Sequence, residues 1–211
     1  MIPTKEEMLT ALESKQGKEL QKRFSQATVA VCGLGGLGSN IAVSLARAGI
    51  GKLILIDFDR VDITNLHRQQ YKVSQIGSFK ADALCENLKE IAPYVEIEAH
   101  AVRITEANLA GLVKDAEIVC EAFDKAEAKA MLTNIVLETM PEKFLVAASG
   151  MAGYGSANDI RTRRLSKRFY LCGDGVSDAN DGIGLISSRV MLCAAHQAHT
   201  VFRILAGEFE V

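Results

Sequence analysis

"TVAVCGLGGLGSNIAVSLARAG" occupies residues 28–49. Its first five residues are small or β-branched and read as a short buried strand. The segment from Gly36 to Gly49 has apolar residues at helical spacing and ends in glycine, as helices often do. Between them Gly33, Gly35 and Gly38 have the spacing G-x-G-x-x-G, with Gly36 inside the motif. Glycines there let the chain turn tightly and bring backbone close to a phosphate. The helix that follows offers unpaired N–H groups and the positive end of its dipole. On its own the motif is weak; between a strand and a helix it points to a nucleotide site.

Outward from this unit the same alternation repeats. Strand-like runs lie at 52–57, 95–102, 117–123 and 143–149, and helix-like segments at 79–93, 106–113 and 125–140. Most of these strands are almost continuously apolar, as in a parallel sheet covered on both faces. The expectation is a doubly wound, Rossmann-like α/β fold over one domain, residues 1–211. The pattern breaks at "GMAGYGSAND" (150–159). "IRTRRL" and "RFYLC" then read as a hairpin, 173–182 as a loop and 185–207 as a long terminal helix. An antiparallel extension should therefore close the sheet. Residues 4–22 read as one amphipathic helix carrying Met8, Leu9, Leu12 and Leu20.

Composition narrows the function. The chain of 211 residues is 48% hydrophobic and 24% charged, with a net charge of −2. That balance makes nucleic acid an improbable partner and gives no attraction to an anionic membrane. No apolar run approaches the ~18 residues of a membrane span. The charged N-terminus lacks the apolar centre of a secretory signal, so the expected location is cytoplasmic. The five cysteines form no C-x-x-C pair, so neither a disulfide framework nor zinc is expected.

Residues 57–71, "DFDRVDITNLHRQQY", discriminate between enzymes. Asp57, at the end of the second strand, can accept hydrogen bonds from ribose hydroxyls, as in a dehydrogenase. Hydride transfer does not call for further cations beside the ribose. Here Arg68 follows, Lys80 opens the next helix, and Asn65 and Gln69 converge on the same end of the sheet. Such a cluster suits a polyphosphate whose charge changes during reaction. Read alone, Arg68 would serve equally as a surface ion-pair partner and Lys80 as a solvated helix residue.

In this order and spacing, "GLGGLGSN", "AGIGKLILIDFDRVDITNLHRQQY", the later "KADAL" and "IAP" resemble the ThiF/MoeB/HesA family, prokaryotic relatives of ubiquitin-activating enzymes. The resemblance runs from about Val29 to Gly155. The segment from Ala147 to Gly175 looks most like a short ThiF-type branch linked to thiamine biosynthesis. The family implies adenylation, by ATP, of the Gly-Gly terminus of a ubiquitin-like sulfur carrier protein, releasing pyrophosphate. It implies a homodimer. It casts Asp57 as the ribose acid, and Asp59, Asn65, Arg68 and Gln69 as nucleotide and phosphate groups beside the glycine loop. Lys80 becomes the catalytic lysine and Asp124 the Mg²⁺-linked aspartate. Other carboxylates, on a tRNA base or a molybdopterin carrier, stay open, as do an NAD-dependent oxidoreductase and an adaptor without chemistry.

The sequence departs from that family at several points. Asp124-Lys125 replaces the common Asp-Asn, and Lys129 stands where an arginine is usual. The N-terminal Arg-x-x-Arg-Gln element is reduced to "QKRFSQ", with Arg23. Cys172, in "YLCGDG", is the one loop-placed cysteine available for sulfur transfer. His196 and His199 read as ordinary residues of the last helix.

Overall fold

A computed structural model describes residues 2–179 and 182–211. At its centre lies β1 (Thr28–Cys32), flanked by β2 (Lys52–Ile56) on one side and β4 (Ile118–Glu121) on the other, both parallel to it. Successive side chains of a strand point to opposite faces. Val29 and Val31 therefore enter one core with Leu53, Leu55, Ile118 and Cys120, while Ala30 and Cys32 enter a second with Ile54, Ile56 and Val119. Helices α3 (Gly36–Arg47), α4 (Lys80–Ile91) and α7 (Ser187–Ala206) cover the first face through Ile41, Leu45, Leu84, Leu88 and Val201. Helices α5 (Glu106–Leu112) and α6 (Ala126–Thr139) cover the second through Leu109, Leu132 and Val136.

With β3 (Glu96–His100), β5 (Phe144–Ala148), β6 (Arg161–Ser166) and β7 (Phe169–Gly173), the sheet has seven strands in the order β3-β2-β1-β4-β5-β7-β6. Among the described residues only β6 is antiparallel, and it forms one border. The expected doubly wound fold, antiparallel extension and terminal helix are all present. Strand order reverses between β1 and β4, which opens a crevice beyond their carboxyl ends. Among the described residues no helix is long and apolar enough to cross a membrane.

The expectation of one helix over 4–22 is corrected. Gly17, at φ 87°, separates α1 (Lys5–Gln16) from α2 (Lys18–Gln26). Thr4 and Glu7 form a reciprocal cap on α1, so its start is fixed locally. None of its residues is buried, whereas α2 buries Gln21 and Phe24. Arg23 donates from Nη1 to the Ala206 carbonyl at 2.7 Å, which engages the residue within its own chain at the end of α7.

Candidate functional site

The glycine loop is shaped first by packing. Gly33 sits at φ 89°, and a Cβ there would lie 2.8 Å from the Ala122 carbonyl oxygen. A Cβ on Gly38 would meet the Gly33 oxygen at 1.8 Å, and one on Gly36 would press on Val190 at 2.8 Å. Gly35 differs, because its nearest neighbour would be Gln69 Nε2 at 3.7 Å. The backbone is thus open at Gly35, beside the N-terminus of α3, where a phosphate gains most from free N–H groups.

The acid pair divides its work. Asp57 accepts from the Leu34 amide at 2.6 Å through Oδ2 and from the Asp59 amide at 2.8 Å through Oδ1. It ties the loops after β1 and β2 together. Burial pushes its carboxyl up, against those two hydrogen bonds and the nearby Lys80. Asp59 is half exposed, and Lys80 Nζ lies 3.2 Å from its Oδ2. The Lys80 side chain is itself buried, so this ammonium is held in place at the edge of the crevice.

The polar stretch that follows is partly a fastening. Tyr71 donates its hydroxyl to the Leu34 carbonyl at 2.7 Å, and the Gln70 amide donates to Ser39 Oγ at 3.2 Å. Asn40 donates from Nδ2 to the carbonyls of Gly36 and Arg68, at 2.6 and 3.1 Å. Residues 68–71 are therefore laced onto the first turn of α3. Asn65 accepts from the Asp62 amide through Oδ1 at 3.2 Å and so helps to cap a short 3₁₀ turn.

Arg68 and Gln69 are left incomplete. Arg68 Nη1 reaches the Thr64 carbonyl at 3.1 Å, but its Nε is buried and has no partner among the described residues. Gln69 Oε1 is in the same position. A buried polar atom without a partner costs about 1–3 kcal/mol. Arg164 Nε, Arg189 Nε and Gln197 Oε1 share that state, and the Arg68–Gln69 pair is set apart by lying against Gly35 and Gly36 of the glycine loop. Burial pulls the Arg68 pKa down, and Asp124 counters it, which brings the exposed Asp124 into the same field. The structure therefore gathers Gly35, Arg68 and Gln69 at one site and Asp59 with Lys80 at its rim.

Beside Asp124 lies an ion pair that the sequence did not reveal. Glu121 is buried, and Lys129 Nζ stands 3.0 and 2.9 Å from its two oxygens and 2.9 Å from the Ala148 carbonyl. The Phe123 amide also donates to Glu121, at 2.7 Å. Lys129 thus locks the ends of β4 and β5 and sets the turn that carries Asp124. The loop placement of Cys172 is corrected. It is a residue of β7 with 0% exposure, and burial raises its thiol pKa. A thiol that is neither accessible nor readily ionised is a poor sulfur acceptor. His196 bonds Thr162 Oγ1 through Nδ1 at 3.0 Å, away from the crevice residues.

The comparisons agree with this arrangement. A relative in Lodderomyces elongisporus, the adenylyltransferase and sulfurtransferase UBA4, is 26% identical over 90% of this chain and 42% of its own length. The sulfur carrier protein adenylyltransferase of Thermus thermophilus is 37% identical over 51% of this chain and 40% of its own length. The chain therefore spans under half the length of these curated relatives. Among solved structures, the E. coli tRNA N6-threonylcarbamoyladenosine dehydratase TcdA in complex with AMP superimposes with a TM-score of 0.85 over 99% of this chain and 98% of its own. At 21% identity that likeness establishes the fold. TcdA has also been solved with ATP, at the same TM-score. The model of the ThiF family matches residues 9–211, and the chain belongs to the ThiF family.

Proposed function

We propose that this chain adenylates the C-terminal carboxylate of a ubiquitin-like sulfur carrier protein ending in Gly-Gly. The observation that carries the proposal is the pair of partnerless buried atoms, Arg68 Nε and Gln69 Oε1, with Gly35 open near Gln69 and Lys80 held by Asp59. A donor and an acceptor without partners beside a helix N-terminus fit a nucleoside triphosphate. The printed activities of the UBA4 and Thermus relatives support the same chemistry.

In this reading ATP lies beyond the carboxyl ends of β1 and β2. Asp57, whose oxygens also hold the two loops in register, meets the ribose, with Asp59, the more exposed acid, beside it. The carrier's carboxylate oxygen attacks the α-phosphorus. The bond from that phosphorus to the bridging oxygen breaks, and pyrophosphate leaves with the electron pair. Arg68 and Lys80 meet the charge of the phosphates, acting most strongly where charge develops. Asp124 is exposed, and no hydrogen bond or ion pair engages it among the described residues, which fits a carboxylate that would help to hold Mg²⁺. When bound, that ion offsets the repulsion between carboxylate and triphosphate.

The C-terminal resemblance supports a place in thiazole formation for thiamine, with one adenylation domain working in the cytoplasm. Pyrophosphate exchange tests the reading, with labelled pyrophosphate, ATP and recombinant ThiS-type carriers. Exchange that depends on the carrier is expected. Exchange driven by tRNA, with none from any carrier, would transfer the reaction to a nucleic-acid-linked carboxylate. Calorimetry showing NAD binding without ATP binding would overturn the reading altogether.

A further inference from the structure

Among the described residues two buried cations, Lys143 and Arg189, lie outside the proposed ATP site, and Arg189 is the one at the carboxyl end of the sheet. Arg189, in the first turn of α7, is 6% exposed. Its Nη1 donates to the carbonyls of Gly155 and Ser156, each at 2.7 Å, and its Nη2 to Asp174 Oδ2 at 2.7 Å. Asp174 in turn accepts from the amides of Val176 and Ser177, at 2.8 and 2.9 Å, and from Ser177 Oγ at 2.7 Å. Ser177 Oγ closes the circuit by accepting from the Ala152 amide at 3.0 Å. Backbone bonds from Asp174 to Gly150 and from Gly175 to Ser149 run alongside, each at 2.9 Å.

Three segments are joined in this way: the glycine-rich stretch 150–156 after β5, the turn 174–177 after β7, and the start of α7. All lie at the carboxyl end of the parallel sheet, the end that carries the glycine loop. The start of α7 also touches the nucleotide side. Val190 approaches Gly36, and His67, the neighbour of Arg68, lies 3.2 Å through Nε2 from the Leu185 carbonyl. Segment 150–156 contains three glycines and no regular element beyond a bridge from Gly153 to Leu185. Beyond the latch and the Gly153 amide, which donates to the Gly184 carbonyl at 2.8 Å, few hydrogen bonds fix its path. A planar guanidinium can reach two carbonyls and a carboxylate at once, which an ammonium cannot do with the same geometry.

We infer that Arg189 is a positioning residue for the acyl substrate: through Asp174 and the carbonyls of Gly155 and Ser156 it holds 150–156 as a wall against which the carrier's Gly-Gly tail is aligned. The inference rests on the adenylation reading. Arg189 touches neither substrate; its effect passes through the backbone it restrains. Misplacing such a wall by a fraction of an ångström should weaken capture of the tail, while the ATP contacts at Arg68, Gln69 and Lys80 stay as they are.

The test compares the wild type with Arg189→Lys and with the milder Ser177→Ala, which removes the bridge to Ala152 and leaves the buried cation paired. For Arg189→Lys the KM for a recombinant ThiS-type carrier should rise about tenfold or more. The change in kcat and in the calorimetric ATP dissociation constant should stay within about threefold. Amide hydrogen exchange over 150–156 and 174–177 should quicken about tenfold, with the central strands unchanged. Ser177→Ala should move the same quantities in the same direction by less. A wild-type carrier KM in both variants, or an equal loss of ATP affinity and carrier affinity, would overturn the inference. A wild type that binds ATP yet exchanges with no Gly-Gly carrier refutes the adenylation reading, and the tail-aligning role falls with it.

Discussion

Replacing Lys129 with Met removes one member of a buried pair and leaves Glu121 almost alone. The carboxylate is 1% exposed and keeps only its backbone hydrogen bonds with Phe123 and Ala148, while the Ala148 carbonyl loses its ammonium donor. Breaking a buried pair in this way costs about 3–5 kcal/mol, because a charge is stranded in a poorly solvated place. For a chain of this size that is roughly 6–20 °C in melting temperature. By contrast Lys72 and Glu90 meet at 2.6 Å with half or more of each side chain exposed, and breaking that pair should cost below about 1 kcal/mol. The double variant Glu121→Gln with Lys129→Met strands no charge and should recover most of the loss. The pH dependence has a defined sign. Burial already raises the Glu121 pKa, with Lys129 opposing it. Without Lys129 the folded pKa must rise further above the unfolded value of about 4.3, so stability is fullest below that value and falls as pH climbs through the folded one. Urea unfolding at pH 5 and pH 8 reads this directly. The single variant should be the less stable at pH 8. A loss under about 1 kcal/mol with no pH dependence would refute the argument that Lys129 holds Glu121 ionised.

Four further outcomes follow from the same geometry. Arg68→Ala and Lys80→Ala should each lower pyrophosphate exchange about 100-fold or more while weakening ATP binding far less; unchanged turnover would remove that residue from the mechanism. Gly153→Val should abolish exchange that depends on the carrier yet leave ATP binding intact by calorimetry, since its backbone lies at φ 71° with open space where a side chain would project; a carrier ending in Ala-Ala should fail likewise, and normal exchange in both would exclude this route for the tail. Asp174 would be pushed up by burial, but the bonds from Ser177, Val176 and Arg189 outweigh that and hold it well below the usual carboxylate range. Its contribution to stability should therefore be whole at neutral pH and decline only below about pH 4, so loss of the wild-type minus Asp174→Asn stability difference already at pH 6 would contradict the latch. Light scattering should find a homodimer, and a monomer at all concentrations would count against it.

The elements legible in the sequence are those whose signal is local. The run 28–32 and the glycine spacing define β1, its turn and α3 within a single window, and Pro93 closes α4 at the expected place. The site is legible where one short segment carries it, as 57–71 does. What escaped depends on partners far apart in the chain. Glu121 meets Lys129 and Ala148 only because β4, α6 and β5 converge. Arg189 reads as one more helix residue until β7 and the stretch after β5 are brought beside it. Cys172 precedes Gly-Asp-Gly and so reads as loop, but pairing with Ala148 on one side and Thr162 on the other makes it strand. Gly17 falls within a helical pattern, which hid the break between α1 and α2.

The two borders of the sheet bear on how copies of this chain tolerate crowding. One border, β6, presents Arg161 and Arg163; the other, β3, carries Glu96 and Glu98. Opposite charges on two unpaired borders would invite end-to-end joining of sheets, a contact that repeats without closing and grows into fibres. The acidic border is answered from within: Lys52 lies 3.3 Å from Glu96 and 2.8 Å from Glu98, and His100 lies 2.7 Å from Glu98. On the basic border the register slips between Arg164 and Ser166, so the ladder there is irregular. A bulge of that kind twists a border strand out of line with any flat partner. The arginines thus meet, on a neighbouring copy's acidic border, carboxylates already paired with Lys52, and concentrated solutions should stay clear of strand-to-strand polymer.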